Sequence, residues 1–128
     1  MPILVPVSWG ELLDKITILQ IKAERIADPA KRDNVERELV ALNQVVGDAG
    51  DLPAGAEPLI QQLRSVNEAL WDIEDEIRDC ERDRSFGDRF VELARAVYHT
   101  NDRRAAFKRQ LNDLLGSELV EEKSYQPY

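Results

Sequence analysis

The sequence predicts an all-α protein in which two antiparallel helical hairpins form a four-helix bundle. Three observations favour this class: apolar residues recur at alternating spacings of three and four, capping residues precede the periodic runs, and proline or glycine separates them. The chain has 128 residues, is 43% hydrophobic and 33% charged, and matches one globular domain in size and composition. We therefore expect a single helical domain over residues 1–128.

The first helix follows a short extended N-terminus. Residues 1–7 are apolar and contain two prolines, which disfavour helix. Ser8 and Glu11 have the spacing of a capping box, and the apolar stripe behind them predicts a helix that ends near Ala27. Residues 16–21 are rich in β-branched side chains and are also typical of a strand, but the cap and the length of the stripe favour helix.

The second helix begins where an N-cap is followed by proline. Asp28 is the predicted cap and Pro29 the first helical residue. An apolar stripe then continues to Gly47, which we expect to end the helix. Residues 47–56 are rich in glycine, proline and aspartate, and form the predicted loop between the two hairpins.

The third and fourth helices are predicted from about Glu57 to Asp83 and, capped by Asp88, to about Leu115. A turn near residue 85 would pair their apolar stripes in antiparallel register. The third helix carries nine acidic and three basic side chains, and the fourth four acidic and six basic. Opposite net charges favour the pairing of the two helices, weakly and in a salt-dependent way.

A polar break interrupts the seam of this second hairpin. Thr100 and Arg104 fall on positions that are otherwise apolar, and a buried arginine needs an anionic or amide partner, for which Glu68, Asn67 and Glu74 are within reach. The break either fixes the register of the helices or forms a ligand pocket in which Arg104 binds an anion. The candidate ligand-binding residues are Asn67, Trp71, Glu74, Tyr98, Asn101 and Arg104.

Two enzyme patterns are incomplete. Glu76 and Asp79 form one acidic step of the kind that all-α nucleoside triphosphate pyrophosphohydrolases use for magnesium, but the second helix lacks its partner step. Arg104 and Lys108 could hold a dianion as in a chorismate-mutase-like site, but the ordered pattern of that family is absent. We expect no catalytic residues, no metal and no cofactor.

Composition excludes several other classes. The only cysteine, Cys80, allows no internal disulfide and lies in the apolar stripe, where we expect it to be buried; the only histidine, His99, falls on the polar side. A pI of about 4.7 argues against nucleic-acid binding. No run of about 20 apolar residues could span a membrane, and residues 1–7 lack the features of a signal peptide. We expect a cytoplasmic protein.

The first helix is apolar on more than one side. Leu13, Ile18 and Ile21 lie outside its main stripe, which indicates a central helix or one buried in an oligomer. Together with the apolar residues 1–7, this pattern leads us to expect a homodimer or a protein partner. Residues 117–128 remain unassigned, either pairing with the N-terminus or crossing a dimer interface.

Three segments carry a family resemblance. They read VPVSWGELLDKITIL at 5–19, NEALWDIED at 67–75 and LVEEKSY at 119–125. Together they resemble an uncharacterised bacterial domain family of unknown function, number 6165. Its members occur alone or beside glycosyltransferase and tetratricopeptide-type domains, which implies surface-polysaccharide assembly and a glycosyltransferase as partner. The resemblance supplies no catalytic residues.

These observations favour a non-catalytic interaction or assembly module of a bacterial cytoplasmic protein. The alternative is an anion- or nucleotide-binding protein, or a small all-α enzyme, with its site at the polar break around Arg104.

Overall fold

The computed structural model describes residues 1–128 and contains four α-helices and no strand. The helices are α1 (Trp9–Arg25), α2 (Pro29–Asp48), α3 (Ala56–Arg82) and α4 (Asp88–Leu114). The all-α class and the two hairpins, α1–α2 and α3–α4, are confirmed. None of the four helices combines the length and apolar character that crossing a bilayer requires.

The helix boundaries follow the capping signals with local differences. Asp28 accepts hydrogen bonds from the first turn of α2, and Pro29 is its first residue, as predicted. Gly47 does not end α2, because helical geometry continues for one more residue. Asp88 is the first residue of α4 and not its cap, since Gly87 occupies that position and offers no side chain.

The capping box of α1 forms only in part. Ser8 Oγ accepts a hydrogen bond from the backbone N–H of Glu11 at 3.1 Å, as the box requires. The Glu11 carboxylate does not return to Ser8 but lies 2.8 Å from Nζ of Lys108 on α4. Glu11, the second residue of the capping-box pattern, therefore makes a tertiary contact with α4 and does not close the cap.

Helix α1 is the central element of the bundle. It packs against each of the other three helices, whereas α2 packs mainly on α1. Seven residues of α1 are buried and none of α2. Leu13 and Ile21, which lie on the second apolar face of α1, are 3% and 1% exposed. That face is therefore covered within the chain and no longer argues for a dimer.

The α3–α4 hairpin extends beyond α1. Both of its helices have 27 residues, against 17 in α1, and the last residue of α1, Arg25, already bonds to Asp72. We call residues 73–98 the distal hairpin. Its only buried residue is Leu93; Cys80 is half-buried, and the prediction that it is buried was too strong.

The two ends of the chain are extended. Residues 1–7, here the N-terminal arm, leave their apolar side chains exposed. Residues 117–128, here the C-terminal tail, run back along α4 and make ion pairs with it through Glu121, Glu122 and Lys123. The sequence left the tail unassigned; within one chain it lies along α4, and its first residue, Ser117, accepts a hydrogen bond from the backbone N–H of Trp9 at 3.2 Å. The charged residues of α4 that pair with it are Asp102, Lys108 and Arg109.

Gly10 allows α1 to approach α4 closely. A Cβ atom at this position would lie 2.5 Å from the backbone oxygen of Lys108 and 2.9 Å from Oδ1 of Asn112. The same Asn112 oxygen accepts a hydrogen bond from the Gly10 backbone N–H at 2.6 Å. The first turn of α1 thus contacts α4 through backbone atoms.

We expect Gly10→Ala to lower the free energy of unfolding by about 1–3 kcal/mol, because the added methyl group meets a backbone oxygen that cannot move alone. Gly47→Ala is the matched control. It also replaces a helical glycine, but no atom lies within 4 Å of the new Cβ, and it should stabilise by about 0.5–1 kcal/mol. Urea denaturation of both variants measures the difference, and equal effects would contradict this view of the interface.

The turn between α3 and α4 contains a strained residue. Arg84 has φ of 53°, in the left-handed region, and the N–H of Ser85 donates to the carbonyl of Cys80 at 2.8 Å. This arrangement ends a helix most easily with glycine, which has no Cβ. The equivalent residue after α4 is Gly116, with φ of 62°.

We expect Arg84→Gly to stabilise the protein by about 1 kcal/mol, equivalent to a rise in Tm of about 4 °C, because it removes the left-handed strain. Gly116→Ala should have the opposite sign and a similar size. Calorimetry of the two variants checks the pair, and a lower Tm for Arg84→Gly would show that the Arg84 side chain contributes more than its backbone costs.

Candidate functional site

A buried carboxylate on α1 lies at the centre of the polar break. Asp14 is 1% exposed, and it belongs to a second row of α1 residues that faces α3 and α4. Gly10, Asp14, Thr17 and Ile21 follow one another at spacings of four, three and four, which places them on one face. Thr17 Oγ1 donates to the backbone oxygen of Asp14 at 2.8 Å.

Arg104 of α4 binds this carboxylate through two donors. Its Nε lies 3.0 Å from Asp14 Oδ1 and its Nη2 lies 2.5 Å from Oδ2, the parallel geometry in which arginine binds carboxylates best. The hydrogen bond to Asp14 is the main cause of a raised pKa for Arg104, ahead of the opposing effect of burial. The arginine therefore stays charged at any working pH.

Asn67 connects α3 to the same pair. Its Nδ2 donates to Asp14 Oδ1 at 2.8 Å and to Thr17 Oγ1 at 2.9 Å. One carboxylate is thus contacted from α1, α3 and α4, and no buried side-chain nitrogen or oxygen lacks a hydrogen-bond partner. We call Asp14, Thr17, Asn67, Arg104 and Lys108 the polar cluster.

Lys108 joins the polar cluster to the surface. Its side chain is 8% exposed, and its Nζ lies 2.8 Å from Glu11, 2.6 Å from Glu121 of the tail and 3.9 Å from Asp14. Burial lowers the pKa of Lys108, but the hydrogen bonds with Glu11 and Glu121 outweigh burial, and the pKa is raised overall. A protonated amine is therefore held under the C-terminal tail.

A groove lies above this amine, between α4 and the C-terminal tail. It encloses about 490 Å³. The α4 side carries the polar cluster residues Arg104 and Lys108, and the tail closes the other side. The groove is lined by Asn101, Arg104, Ala105, Lys108, Glu121, Glu122, Lys123, Ser124 and Tyr125.

Three of the six candidate ligand-binding residues lie in or beside the polar cluster. Asn67 and Arg104 belong to it, and Asn101 Oδ1 lies 3.5 Å from Nη1 of Arg104 at its edge. Tyr98 is outside: its ring packs against His99 and against Tyr128 of the tail. His99 is exposed, as predicted.

Trp71 and Glu74 lie outside the polar cluster, and the prediction that Glu68 or Glu74 pairs with Arg104 was wrong. The ring of Trp71 faces the guanidinium of Arg25 at 5.8 Å. Glu74 is exposed and pairs within α3 at 3.1 Å, and Glu68 likewise pairs with Arg64 at 2.9 Å. The wrong partners came from considering α3 and α4 alone, whereas α1 supplies the carboxylate.

Asp14 is the functional residue that the sequence analysis missed. Its signal was present, because it interrupts the otherwise uncharged row of Gly10, Thr17 and Ile21 on α1. A charged residue among such neighbours indicates a buried partner of opposite charge. Glu121 carried no comparable signal, since its contact depends on the path of an irregular tail.

The arrangement does not resemble a metal or nucleophile site. No group of three or more histidine, cysteine, aspartate or glutamate side chains is placed to hold a metal ion. Within the acidic α3 the carboxylates make ion pairs, among them Asp72 with Arg25 and Glu76 with Arg89. The polar cluster offers charged donors, which bind anions.

Comparison of the chain with known protein families, with curated proteins and with solved structures finds no match. The function is therefore inferred from the geometry of the chain alone.

We expect Arg104→Met to lower the free energy of unfolding by about 3–5 kcal/mol, because it leaves the Asp14 carboxylate buried without its main partner. The control is Arg109→Met, which removes an exposed arginine from its pair with Glu122 and should cost less than about 1 kcal/mol. Urea denaturation measures both. The double variant Asp14→Leu with Arg104→Met should recover most of the lost stability. A loss for Arg104→Met as small as that for Arg109→Met would show that the Asp14–Arg104 ion pair does not stabilise the fold.

Proposed function

We propose that this chain is a non-catalytic assembly module that pairs with a second copy of itself through the distal hairpin. The observation that carries the proposal is the change in burial along α3. All of its buried residues lie between Ala56 and Asn67, where α1 covers the hairpin. Its apolar stripe nevertheless continues at the same spacing through Leu70, Ile73, Ile77 and Cys80.

Two helices alone bury only part of such a stripe. Ile73, Ile77 and Phe90 remain half-buried in the distal hairpin, whereas Leu63 and Val66 of the same stripe are buried near α1. Four-helix bundles cover these positions by adding a second helical pair at a small crossing angle. A second distal hairpin would supply that pair with a matching pattern.

The outer side of α4 also leaves apolar residues exposed. Val91, Ala94 and Tyr98 follow one another at spacings of three and four, and Val91 and Tyr98 are 51% and 42% exposed. Phe86, at the turn, is 51% exposed and forms a T-shaped aromatic pair with Phe90. A contiguous apolar patch of this kind is typical of an interface.

Charge bears on which helices of two copies can meet. Within the distal hairpin, residues 73–83 carry six acidic and two basic side chains, and residues 88–98 carry two of each. A two-fold axis that places α3 of one copy beside α4 of the other therefore sets each acidic segment against a neutral one and keeps the two acidic segments apart. Because a two-fold interface uses the same surface on both copies, it is fully occupied in a dimer and no third copy can add.

A further protein partner is proposed from the N-terminal arm and the family resemblance. Met1, Ile3 and Leu4 expose more than four-fifths of their surface, which favours insertion of the arm into an apolar groove of another protein. The resemblance to family 6165 suggests a glycosyltransferase of bacterial surface-polysaccharide assembly as that protein, in the cytoplasm. An enzymatic role has less support, since the fully buried polar atoms of the cluster are all hydrogen-bonded within the chain.

At about 0.1 mM we expect the wild-type chain to have an apparent mass twice that of one 14.6 kDa chain. The Val91→Glu variant should have the mass of the monomer. Val91 is exposed within one chain, so a charge there leaves the monomer fold intact but places a carboxylate in the proposed interface. Val40→Glu is the matched control, because Val40 is an exposed valine on α2, 68% accessible, far from the interface. Sedimentation equilibrium measures the masses.

A wild-type chain that stays monomeric at millimolar concentration would disprove the proposal. Dissociation by Val40→Glu to the same extent as by Val91→Glu would also contradict it, because the effect would then come from charge and not from position.

A further inference from the structure

We propose that the groove between α4 and the C-terminal tail binds a small carboxylate, and that Glu121 of the tail occupies its anion position in the free protein. The starting observation is the contact of 2.6 Å between Glu121 and the buried amine of Lys108. Glu121 itself is 56% exposed in its side chain, so a largely exposed carboxylate contacts an amine whose own side chain is otherwise buried. In this view the Glu121 carboxylate holds the position that the carboxylate of a bound ligand would take at Lys108.

The cationic side of the groove is held in place before any ligand arrives. Lys108 has 8% of its side chain exposed and is fixed from below by Glu11 at 2.8 Å. Arg104 is oriented by its two hydrogen bonds to Asp14. Donors that are already ordered lose little conformational entropy on binding, which favours affinity.

Arg104 has donor capacity to spare. Its Nε and Nη2 are engaged by Asp14, whereas Nη1 has one long contact, 3.5 Å to Oδ1 of Asn101. The side chain is 29% exposed and lines the groove together with Lys108. A carboxylate has two oxygens, and these can accept from the lysine amine and from this remaining edge of the guanidinium.

Charge balance selects a monoanion. Arg104 and Lys108 carry two positive charges, and Asp14 and Glu11 carry two negative charges close to them. Glu121 adds one further negative charge at the groove. Exchange of Glu121 for a carboxylate keeps the total unchanged, whereas a dianionic phosphate would add a charge beside Asp14 and Glu11.

The Glu121 side chain can move away from Lys108 at low cost, with only a small shift of the tail. The tail's other ionic contacts to α4, Glu122 with Arg109 and Lys123 with Asp102, join partly or largely exposed side chains. Ion pairs of this kind contribute little to stability and weaken with salt. A ligand therefore competes with Glu121 without unfolding a helix.

The test is a titration of the full chain with sodium acetate, at constant ionic strength set with sodium chloride, followed by NMR signals of residues 101–108. We expect Glu121→Gln to lower the apparent dissociation constant for acetate by about fourfold, because it removes the internal competitor. Glu122→Gln is the matched control: it neutralises the adjacent carboxylate, which binds Arg109 instead, and should bind acetate as the wild type does.

Equal affinity in wild type, Glu121→Gln and Glu122→Gln would overturn the proposal, and so would an equal gain in both variants, since that is the effect of net charge alone. Phosphate titrated into Glu121→Gln tests the ligand class. Weaker binding than acetate supports a carboxylate site, and tighter binding overturns the choice of ligand. None of these outcomes depends on dimer formation, which the Val91 variants test separately.

Discussion

The ion pair between Asp14 and Arg104 is the interaction on which the arrangement of the bundle depends. A carboxylate that is 1% exposed is tolerated only when charged and polar donors surround it, and here these come from α3 and α4. Apolar stripes permit sliding by a turn at modest cost. A buried charge with one partner on each neighbouring helix does not, because a shift of one turn would separate it from both. The pair therefore sets where α1 lies along the longer hairpin.

The position of α1 divides the hairpin into two regions of different character. Near α1 the apolar residues Leu63 and Val66 of α3 and Leu111 of α4 are buried, and the polar cluster adds directional bonds between three helices. Beyond Arg25 the same stripe continues with cover from one helix only. The buried contacts and the half-buried stripe therefore lie along different lengths of the same two helices. Helix α2 contributes mainly by covering the outer side of α1, which explains why it has no buried residue.

Much of the fold could be predicted from the sequence because local signals determine it. Periodicity and caps identified all four helices, and the polar break at Arg104 was correctly located. The partners of Arg104 were not, since Glu68 and Glu74 were inferred from the hairpin alone and the carboxylate lies on α1, 90 residues away. Periodicity tells which face of a helix is buried but not which helix covers it. The tail was unpredictable for a related reason: its path depends on single ion pairs, which leave no periodic trace.

The contacts that fix α1 also constrain the order in which the molecule can form. The backbone N–H of Trp9 donates to Ser117 Oγ, across 108 residues, and Asp14 meets Arg104 across 90. The hairpin α3–α4 needs only contacts between neighbouring elements, whereas the face of α1 that carries Asp14 has no partner until α4 exists. Helix α2 can pack on α1 early, but the Asp14 carboxylate stays in water until Arg104 is in place. The slow step of folding should therefore be the docking of α1 onto a hairpin that already exists.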